Sequence, residues 1–121
     1  MAVQLNHTIV PSRDRAAAAE FFAQMFGLTV GEPVGPFIPV QVERTLTLEF
    51  DEAEVFEPHH YGFLVGDAEF DAILARVRAA GVLHGSGPEH GWNGQINHLN
   101  GGRGVYFQDP NGHSYEIFTR A

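Results

Sequence analysis

Histidine and glutamate residues recur at matching places in this chain, and side chains of these two types bind metal ions. His7 and His60 each stand in a segment of alternating polar and apolar residues that is followed by an amphipathic run. Glu49 and Glu116 each stand in a later alternating segment, so the two halves repeat the order strand, helix and further strands. A duplication of this kind places equivalent groups at related positions of a fold. The repeat therefore predicts a metal cavity to which both halves contribute.

These residues also have interpretations that need no metal. A single histidine in a strand is more often a hydrogen-bonded core residue than a ligand, and Glu49 fits equally well as a solvated acid on an edge strand. His59, the neighbour of His60, falls on the opposite face of its strand and is expected to be structural or at the surface. Two histidines at repeat-related positions, together with a late glutamate, favour the metal interpretation.

The pattern of the sequence places these residues on specific elements. Residues about 4–11 alternate and predict a strand that ends at Pro11. Ser12 is the expected N-cap of a helix over about 13–26, which Gly27 ends. Prolines 33, 36 and 39 are expected to break the next stretch into short strands or loops. The other predicted elements are strands at about 45–50 and 59–66, a helix at about 67–80, and strands near 82–85, 103–108 and 113–119.

Strand side chains alternate between two faces, and this alternation separates the candidate site residues from the core. In the strand at about 59–66, Tyr61 and Phe63 form an apolar face suited to a helix, which leaves His60 on the other face. The same alternation turns a further set of residues away from the helices: Glu49, Tyr106, Gln108, Glu116 and Phe118.

One long segment, Gly85 to Gly102, lacks a regular pattern and is rich in Gly, Asn and His. Unstructured segments of this length inside a compact domain are usually functional lids or disordered. Trp92 favours a packed lid, so we expect the segment to cover a site.

Length and composition restrict the possible functions. The 121 residues fit a single domain, 1–121, built from internal repeats at 1–55 and 56–121. Fifteen acidic and seven basic residues, all of them arginine, give a net charge of −8, which repels nucleic acid. Without cysteine, any metal must be bound by histidine, carboxylate and water. No apolar run reaches the roughly 18 residues of a membrane span, and no signal peptide is evident, so we expect a cytoplasmic protein without membrane contact.

Three segments resemble a known family. They are Asn6-His7, His60-Tyr61-Gly62-Phe63 and the closing segment from Gly101 to Glu116, of which Asp109-Pro110-Asn111-Gly112 is the most specific part. Together they are similar to the vicinal oxygen chelate superfamily, which comprises glyoxalase I, fosfomycin resistance proteins, extradiol dioxygenases and bleomycin resistance proteins. The resemblance implies an α+β fold in which two βαβββ modules form an open, mostly antiparallel barrel around a divalent metal. It also implies a homodimer that shares or exchanges modules.

Carried over position by position, the resemblance implies the metal ligands His7, His60 and Glu116, with Glu49 as a fourth. Two imidazoles and one or two carboxylates suit Fe(II), Mn(II), Ni(II) or Zn(II), and three ligands leave positions open for substrate. His98 and Tyr106 are the catalytic candidates. Their alternatives are a loop histidine bonded to the backbone and a tyrosine that packs in the barrel wall. The candidate substrate-binding residues are Trp92, Arg103, Gln108 and Phe118, although Arg103 equally fits a pair with a surface acid.

The sequence thus predicts a metal-dependent enzyme acting on a small oxygen-chelating substrate, of the dioxygenase, isomerase or lyase, or antibiotic-modifying type. The lack of lysine argues against a fosfomycin-type enzyme, and the short chain leaves little room to bind glutathione. An extradiol dioxygenase needs two histidines and a glutamate with a nearby histidine and tyrosine, but the chain is small for that class. The alternative is a metal-free protein of bleomycin-resistance type that sequesters an antibiotic or other small molecule in an acidic cleft with Trp92, Phe37 and Phe118.

Overall fold

Both halves of the chain form their elements in the order that the sequence predicts, a strand, a helix and then further strands. The computed structural model describes residues 2–121 and consists of two units, Met1–Glu57 and Pro58–Ala121. Each unit contains one α-helix and one open mixed sheet, so the predicted α+β class is confirmed. The second unit also has two short 3-10 helices, Pro88–His90 and Leu99–Gly101. Among the described residues, no helix has both the length and the apolar character that a membrane crossing requires.

The first unit contains β1 (His7–Ser12), α1 (Arg15–Phe26), β2 (Ile38–Glu43) and β3 (Leu46–Glu52). β3 lies in the centre of the sheet, parallel to β1 and antiparallel to β2. Where a βαβββ module would have a fourth strand, this unit has, besides a bridge between Val34 and Phe37, an isolated bridge between Val30 and Val40. Pro33 and Pro36 follow that bridge, and proline has no N–H with which to continue a ladder.

The first strand ends later than the sequence predicts. Pro11 does not end it, because the carbonyls of Asn6 and Ser12 accept the bonds from the β3 side, which leaves the nitrogen of Pro11 on the outer edge. Ser12 is also wrong as the helix N-cap: it is buried at the end of β1, and its Oγ donates to the carbonyl of Asp51 at 2.6 Å. The cap is Asp14, whose carboxylate accepts from the N–H of Ala17 at 3.1 Å.

The core of the first unit lies between one face of its sheet and α1. Phe22 and Met25 of α1 and Leu48 and Phe50 of β3 are almost completely buried. Gly27 ends α1 as predicted, in a left-handed conformation with φ of 70°. Since Leu48 and Phe50 point into this core, Glu49 between them must point to the opposite face of the sheet.

The second unit contains β4 (His60–Leu64), α2 (Asp67–Ala79), β5 (His84–Gly85), β6 (Gly104–Gln108) and β7 (Ser114–Phe118). The strand order is β4-β7-β6-β5, with β4 parallel to β7 and the other neighbours antiparallel. Phe70 and Val77 of α2, Phe107 of β6 and Tyr115 of β7 are fully buried. The faces of these strands are therefore divided as their alternation predicts.

The Asp-Pro-Asn-Gly turn fixes how β6 and β7 pair. The buried carboxylate of Asp109 accepts from the backbone N–H groups of Asn111 and His113, at 2.9 and 2.8 Å. These bonds close the turn and set a register in which Tyr106 lies opposite Glu116. The turn that carries the most specific part of the family resemblance thus aligns two of the predicted site residues.

Candidate metal centre

His60 and Glu116 meet on the face of the second sheet that carries no core residues. The parallel register of β4 and β7 pairs His60 with Ser114 and Gly62 with Glu116, so the histidine and the glutamate are diagonal neighbours. His60 Nε2 lies 3.0 Å from Glu116 Oε1. The side chain of His60 is 51% exposed and that of Glu116 is 15% exposed, so a ligand can approach the pair from the histidine side.

Gly62 makes room for this pair. A Cβ atom at this position would lie 3.3 Å from Cε1 of Phe118 and 3.7 Å from Oε1 of Glu116. Phe118 is half-buried on the same face as Glu116, as its strand alternation predicts. The missing side chain thus leaves space into which the carboxylate and the phenyl ring fit.

Tyr106 is the third member of the cluster. It lies opposite Glu116 on β6, and its ring centroid is 5.5 Å from that of His60. Burial raises the pKa of Tyr106 above its usual value, and the charge of Glu116 and the hydrogen bond to it raise the pKa further. The hydroxyl therefore stays protonated at neutral pH and remains a hydrogen-bond donor.

The first unit contains an equivalent pair in a looser arrangement. His7 lies opposite Thr47 and Ile9 opposite Glu49, so His7 and Glu49 have the same diagonal relation as the pair in the second unit. His7 Nε2 lies 3.8 Å from Glu49 Oε1, and His7 Nδ1 is hydrogen-bonded to Asn6 Oδ1 at 2.9 Å. The Asn6 contact fixes the orientation of the imidazole while leaving Nε2 available.

Each unit thus supplies two potential ligands, an imidazole and a carboxylate. In the stretch from residue 2 to 121, no group of three or more histidine, aspartate or glutamate side chains is close enough to hold a metal ion. The three-ligand set of His7, His60 and Glu116 stays a prediction. The donor types fit the implied metal, since a neutral imidazole nitrogen and a carboxylate oxygen are the ligands of borderline divalent ions.

A cavity of about 280 Å³ lies beside the pair of the second unit. Its lining residues are His60, Gly87, Pro88, Gly91, Trp92, Tyr106 and Ser114. Trp92, expected to bind substrate, lies in this wall and remains 40% exposed, so it is less packed than a closed lid would require. Gln108, which shares the face of Tyr106, is half-buried opposite Ser114.

Arg103 and His98 lie elsewhere in the second unit. The guanidinium of Arg103 bonds to Asp71 at 2.7 Å and Asp67 at 3.0 Å and lies 4.5 Å from the ring centroid of Phe70. Arg103 and the exposed His98 line a separate cavity of about 270 Å³. Neither of them lines the cavity of His60, so the structure brings Trp92 and Tyr106 together with His60 but not these two residues.

His59 packs against a buried residue, His113. Its backbone N–H donates to Nδ1 of the buried His113 at 2.9 Å, and the two rings are stacked with centroids 5.7 Å apart. The alternation of β4 predicts this separation of His59 from His60.

Several residues near the pairs were not singled out from the sequence. Ser114 and Thr47 are the register partners of His60 and His7, and the same alternation that identifies the glutamates identifies them. Thr47 belongs to a cavity of about 640 Å³ in the first unit whose other lining residues are Gly27, Leu28, Thr29, Gly31, Pro39, Gln41, Glu43 and Arg44. Gly87, Pro88 and Gly91 of the long segment carry no comparable signal, because their place depends on how that segment folds back.

The chain is similar to known proteins in both sequence and structure. Residues 4–117 match the family model of the Glyoxalase/Bleomycin resistance protein/Dioxygenase superfamily. The chain is similar to the glutathione transferase FosA of Serratia marcescens, with 26% identity over 125 residues that cover 97% of this chain and 81% of the relative. The solved structure of Oxidase ChaP-H2 has a TM-score of 0.95 and 48% identity, covering 100% of this chain and 96% of that one. For Oxidase ChaP-H1 the TM-score is 0.93 and the identity 50%, covering 99% and 98%.

The similarity to the vicinal oxygen chelate proteins that the histidine, glutamate and Asp-Pro-Asn-Gly segments indicate is therefore confirmed over nearly the whole chain. This chain belongs to the Glyoxalase/Bleomycin resistance protein/Dioxygenase superfamily.

Proposed function

We propose that this protein is a divalent-metal-dependent enzyme that oxidises a small substrate with two neighbouring oxygen atoms, using O2 as the oxidant. The observation that carries the proposal is the 3.0 Å approach of His60 Nε2 to Glu116 Oε1 beside a cavity of about 280 Å³. The oxidase type is supported by 48% and 50% identity to two proteins named as oxidases. Among the reaction types considered, oxidation is the one that these names favour.

In this proposal His60, Glu116 and His7 are the metal ligands, and Glu49 is a fourth. The ligand types suit Fe(II), Mn(II), Ni(II) or Zn(II), and because oxidation by O2 requires a redox-active ion, the proposed reaction favours Fe(II) or Mn(II) over Zn(II). When bound, such an ion supplies a positive charge that favours ionised substrate oxygens and a centre for electron transfer.

Tyr106 is proposed to bind and protonate a substrate oxygen. Tyr106 lines the cavity beside His60, and a tyrosine hydroxyl is a hydrogen-bond donor at neutral pH, so it can donate to a substrate oxygen held there. We assign this role to Tyr106 and not to His98, because His98 lines a different cavity.

Trp92 and Pro88 are proposed to bind the apolar part of the substrate. Both line the cavity beside His60 and present flat apolar surfaces to it. Gln108 and Phe118 share the face of Tyr106 and Glu116 and are proposed to contact substrate at its edge. A bound substrate would exclude water from the histidine side of the pair, where His60 is now exposed.

We also propose that the protein acts as a homodimer. Support comes from the resemblance to the vicinal oxygen chelate superfamily, which implies modules shared or exchanged between two copies, and from the division of the predicted ligands between two units. Complementation tests this arrangement. If each metal site combines His7 of one copy with His60 and Glu116 of the other, a mixed dimer of His7→Ala and Glu116→Ala chains has one complete site and regains about half of the activity. Ligands from a single copy would leave that mixed dimer inactive.

The function is tested by metal content and O2 uptake. Protein purified without an affinity tag is loaded anaerobically with Fe(II), and O2 consumption is followed with catechol as the probe. We expect stoichiometric metal that is lost in His60→Ala and kept in His59→Ala, a matched control with the same residue type on the opposite face. A folded protein that binds no metal and holds catechol without O2 uptake would contradict the proposal and support sequestration.

A further inference from the structure

We infer that the segment between β5 and β6, residues 86–103, is a fixed wall that selects substrates by size, with Asn93 and Asn97 as its positioning residues. The sequence predicts a packed lid that covers a site in this place. The inference rests on the proposed function, because it names what determines the specificity of that same site. Its physical basis is a set of side-chain and backbone bonds that tie the segment to the two strands beneath it.

Asn93 closes the first half of the segment. Its Oδ1 accepts from the backbone N–H groups of Ser86 at 3.1 Å and Gln95 at 3.0 Å, and its Nδ2 donates to Oγ of Ser86 at 2.9 Å. One side chain thus satisfies three polar groups that no strand ladder would satisfy. The N–H of Gly94 also donates to the carbonyl of His84 in β5 at 2.9 Å. Trp92 stands directly before Asn93, so these bonds hold the backbone that carries the indole.

Asn97 closes the second half. Its Nδ2 donates to the carbonyl of Ser86 at 2.8 Å, and its Oδ1 accepts from the N–H of Leu99 at 3.2 Å. Its backbone exchanges two hydrogen bonds with Gly104, the first residue of β6, at 2.8 and 3.0 Å. Both asparagines therefore bond to Ser86, which follows directly on β5.

Gly85 in β5 and Gly104 in β6 allow the segment to lie this close to the two strands. A Cβ at Gly85 would lie 2.6 Å from the carbonyl oxygen of Gly91 and 2.9 Å from the backbone nitrogen of Asn93. A Cβ at Gly104 would lie 2.6 Å from Oδ1 of Asn97. The segment thus packs on bare backbone at both strands, and any side chain there would displace it.

The consequence concerns the cavity beside His60. Gly85 pairs with Tyr106, so the strand that bears the tyrosine and the strand on which the segment rests are hydrogen-bonded neighbours. Gly91, Trp92 and Tyr106 all line the cavity, and their spacing is set by bonds that exist without substrate. A wall formed in advance rejects ligands that are too large and contributes no closing step.

Trp92 is the only tryptophan in the chain, so its fluorescence reports on this wall directly. We expect acrylamide quenching of Trp92 and hydrogen exchange of the Ser86 and Gln95 amides to change less than about twofold when catechol is added to the metal-free or to the metal-loaded protein. Exchange that slows about tenfold or more on catechol binding would show closure and overturn the inference.

Two conservative substitutions separate positioning from a general loss of stability. Asn93→Asp keeps the oxygen that accepts from Ser86 and Gln95, so quenching of Trp92 should stay unchanged. Asn97→Asp places a carboxylate oxygen against the Ser86 carbonyl in place of a donor, so quenching should rise about twofold and exchange at Ser86 about tenfold. Gln95→Ala, an exposed side chain in the same segment, is the control and should behave as the unaltered protein. Equal effects of the two aspartate variants would contradict the assigned roles.

Specificity is read from two probes of different size, catechol and 1,2-dihydroxynaphthalene, whose dissociation constants are measured with metal-loaded protein. In Asn97→Asp the ratio of the two constants should change about tenfold in favour of the larger probe, at unaltered metal content. An unchanged ratio in a variant with a loosened wall would overturn the inference. Because quenching and exchange need no turnover, the wall is tested even where O2 uptake fails, and the two failures are distinguishable.

Discussion

The two units carry the same pair of ligand types in the same register, but only the second surrounds its pair with other site residues. In the second unit Glu116 lies opposite Gly62 on one side and Tyr106 on the other. In the first unit Glu49 lies opposite Ile9 and Pro39. Proline has no polar group to bond the carboxylate, and isoleucine fills the space that glycine leaves open. The separation between imidazole and carboxylate is accordingly 3.0 Å in the second unit and 3.8 Å in the first.

The two histidine–glutamate pairs therefore share a strand register and differ in the residues beside them. In the proposed enzyme the second unit supplies the tight pair, the proton donor and the cavity wall, and the first supplies mainly His7.

Substitution of the two carboxylates, Glu116 and Glu49, tests this difference between the units most directly. Glu116→Gln should lower metal affinity and O2 uptake about 100-fold or more, because it removes an anionic ligand. The matched Glu49→Gln should lower them less than about tenfold. Calorimetric metal titration of both variants measures the difference, and equal losses would contradict the proposed division between the units.

Tyr106 is the next largest expected effect. Tyr106→Phe should lower the O2 uptake rate about 100-fold, the usual scale for a lost general acid, while metal content stays stoichiometric. The rate is measured with catechol after anaerobic Fe(II) loading. Pro39→Ala, the substitution at the equivalent place of the first unit, serves as the control and should leave the rate nearly unchanged. Loss of metal in Tyr106→Phe would instead assign the tyrosine to holding Glu116.

Substitution of Gly62 is expected to have an effect of intermediate size. Gly62→Ala adds a methyl group 3.7 Å from Oε1 of Glu116 and 3.3 Å from Phe118, so the phenyl ring must shift and the pair should loosen. We expect metal affinity to fall about tenfold. Ile9→Ala at the equivalent place adds nothing and should change metal affinity by less than about twofold. Unchanged affinity in Gly62→Ala would show that the glycine is dispensable for the pair.

The smallest expected effect is a difference between the two units in their stability at alkaline pH. All three tyrosines lie in the second unit, and burial, followed by the charge of Asp109, raises the pKa of Tyr61 to about 12 from 10.0. Because the folded state favours the neutral phenol of Tyr61, the raised pKa contributes to the free energy of unfolding. This contribution is complete below pH 10 and is lost as the pH rises towards 12. Amide exchange in the second unit should therefore quicken over this range, and Tyr61→Phe should reduce the change. An equal response from the first unit would contradict this assignment.

Much of the fold follows from local patterns in the sequence. The alternation of β3, β4, β6 and β7 divides their faces correctly, because successive side chains in any strand point to opposite sides. Gly27 ends α1 for an equally local reason, its left-handed conformation. The errors lie where a distant partner decides. Ser12 does not cap α1 because the carbonyl of Asp51, 39 residues away, accepts its hydroxyl proton.

The candidate site residues divide in the same way, into those placed by a local pattern and those placed by a distant partner. Strand alternation is enough to place His60, Tyr106 and Glu116 on the faces that point away from the helices. Arg103 and His98 could not be placed from their sequence neighbours alone. The guanidinium of Arg103 is bound by the two acids of α2, which stand 32 and 36 positions earlier in the chain. The ion pairs of its guanidinium with Asp67 and Asp71 hold Arg103 away from the cavity of His60.

By itself the sequence determined the family, the α+β class and the residue types of the two histidine–glutamate pairs, because these depend on chemistry and on periods of two or a few residues. Only the tertiary structure decided the diagonal register that brings His60 to Glu116 and the seating of Asn93 and Asn97 on bare glycines. The reason is physical. Register and loop seating are set by hydrogen bonds and close contacts between segments that are remote in the chain, and no local pattern records which remote segments will meet.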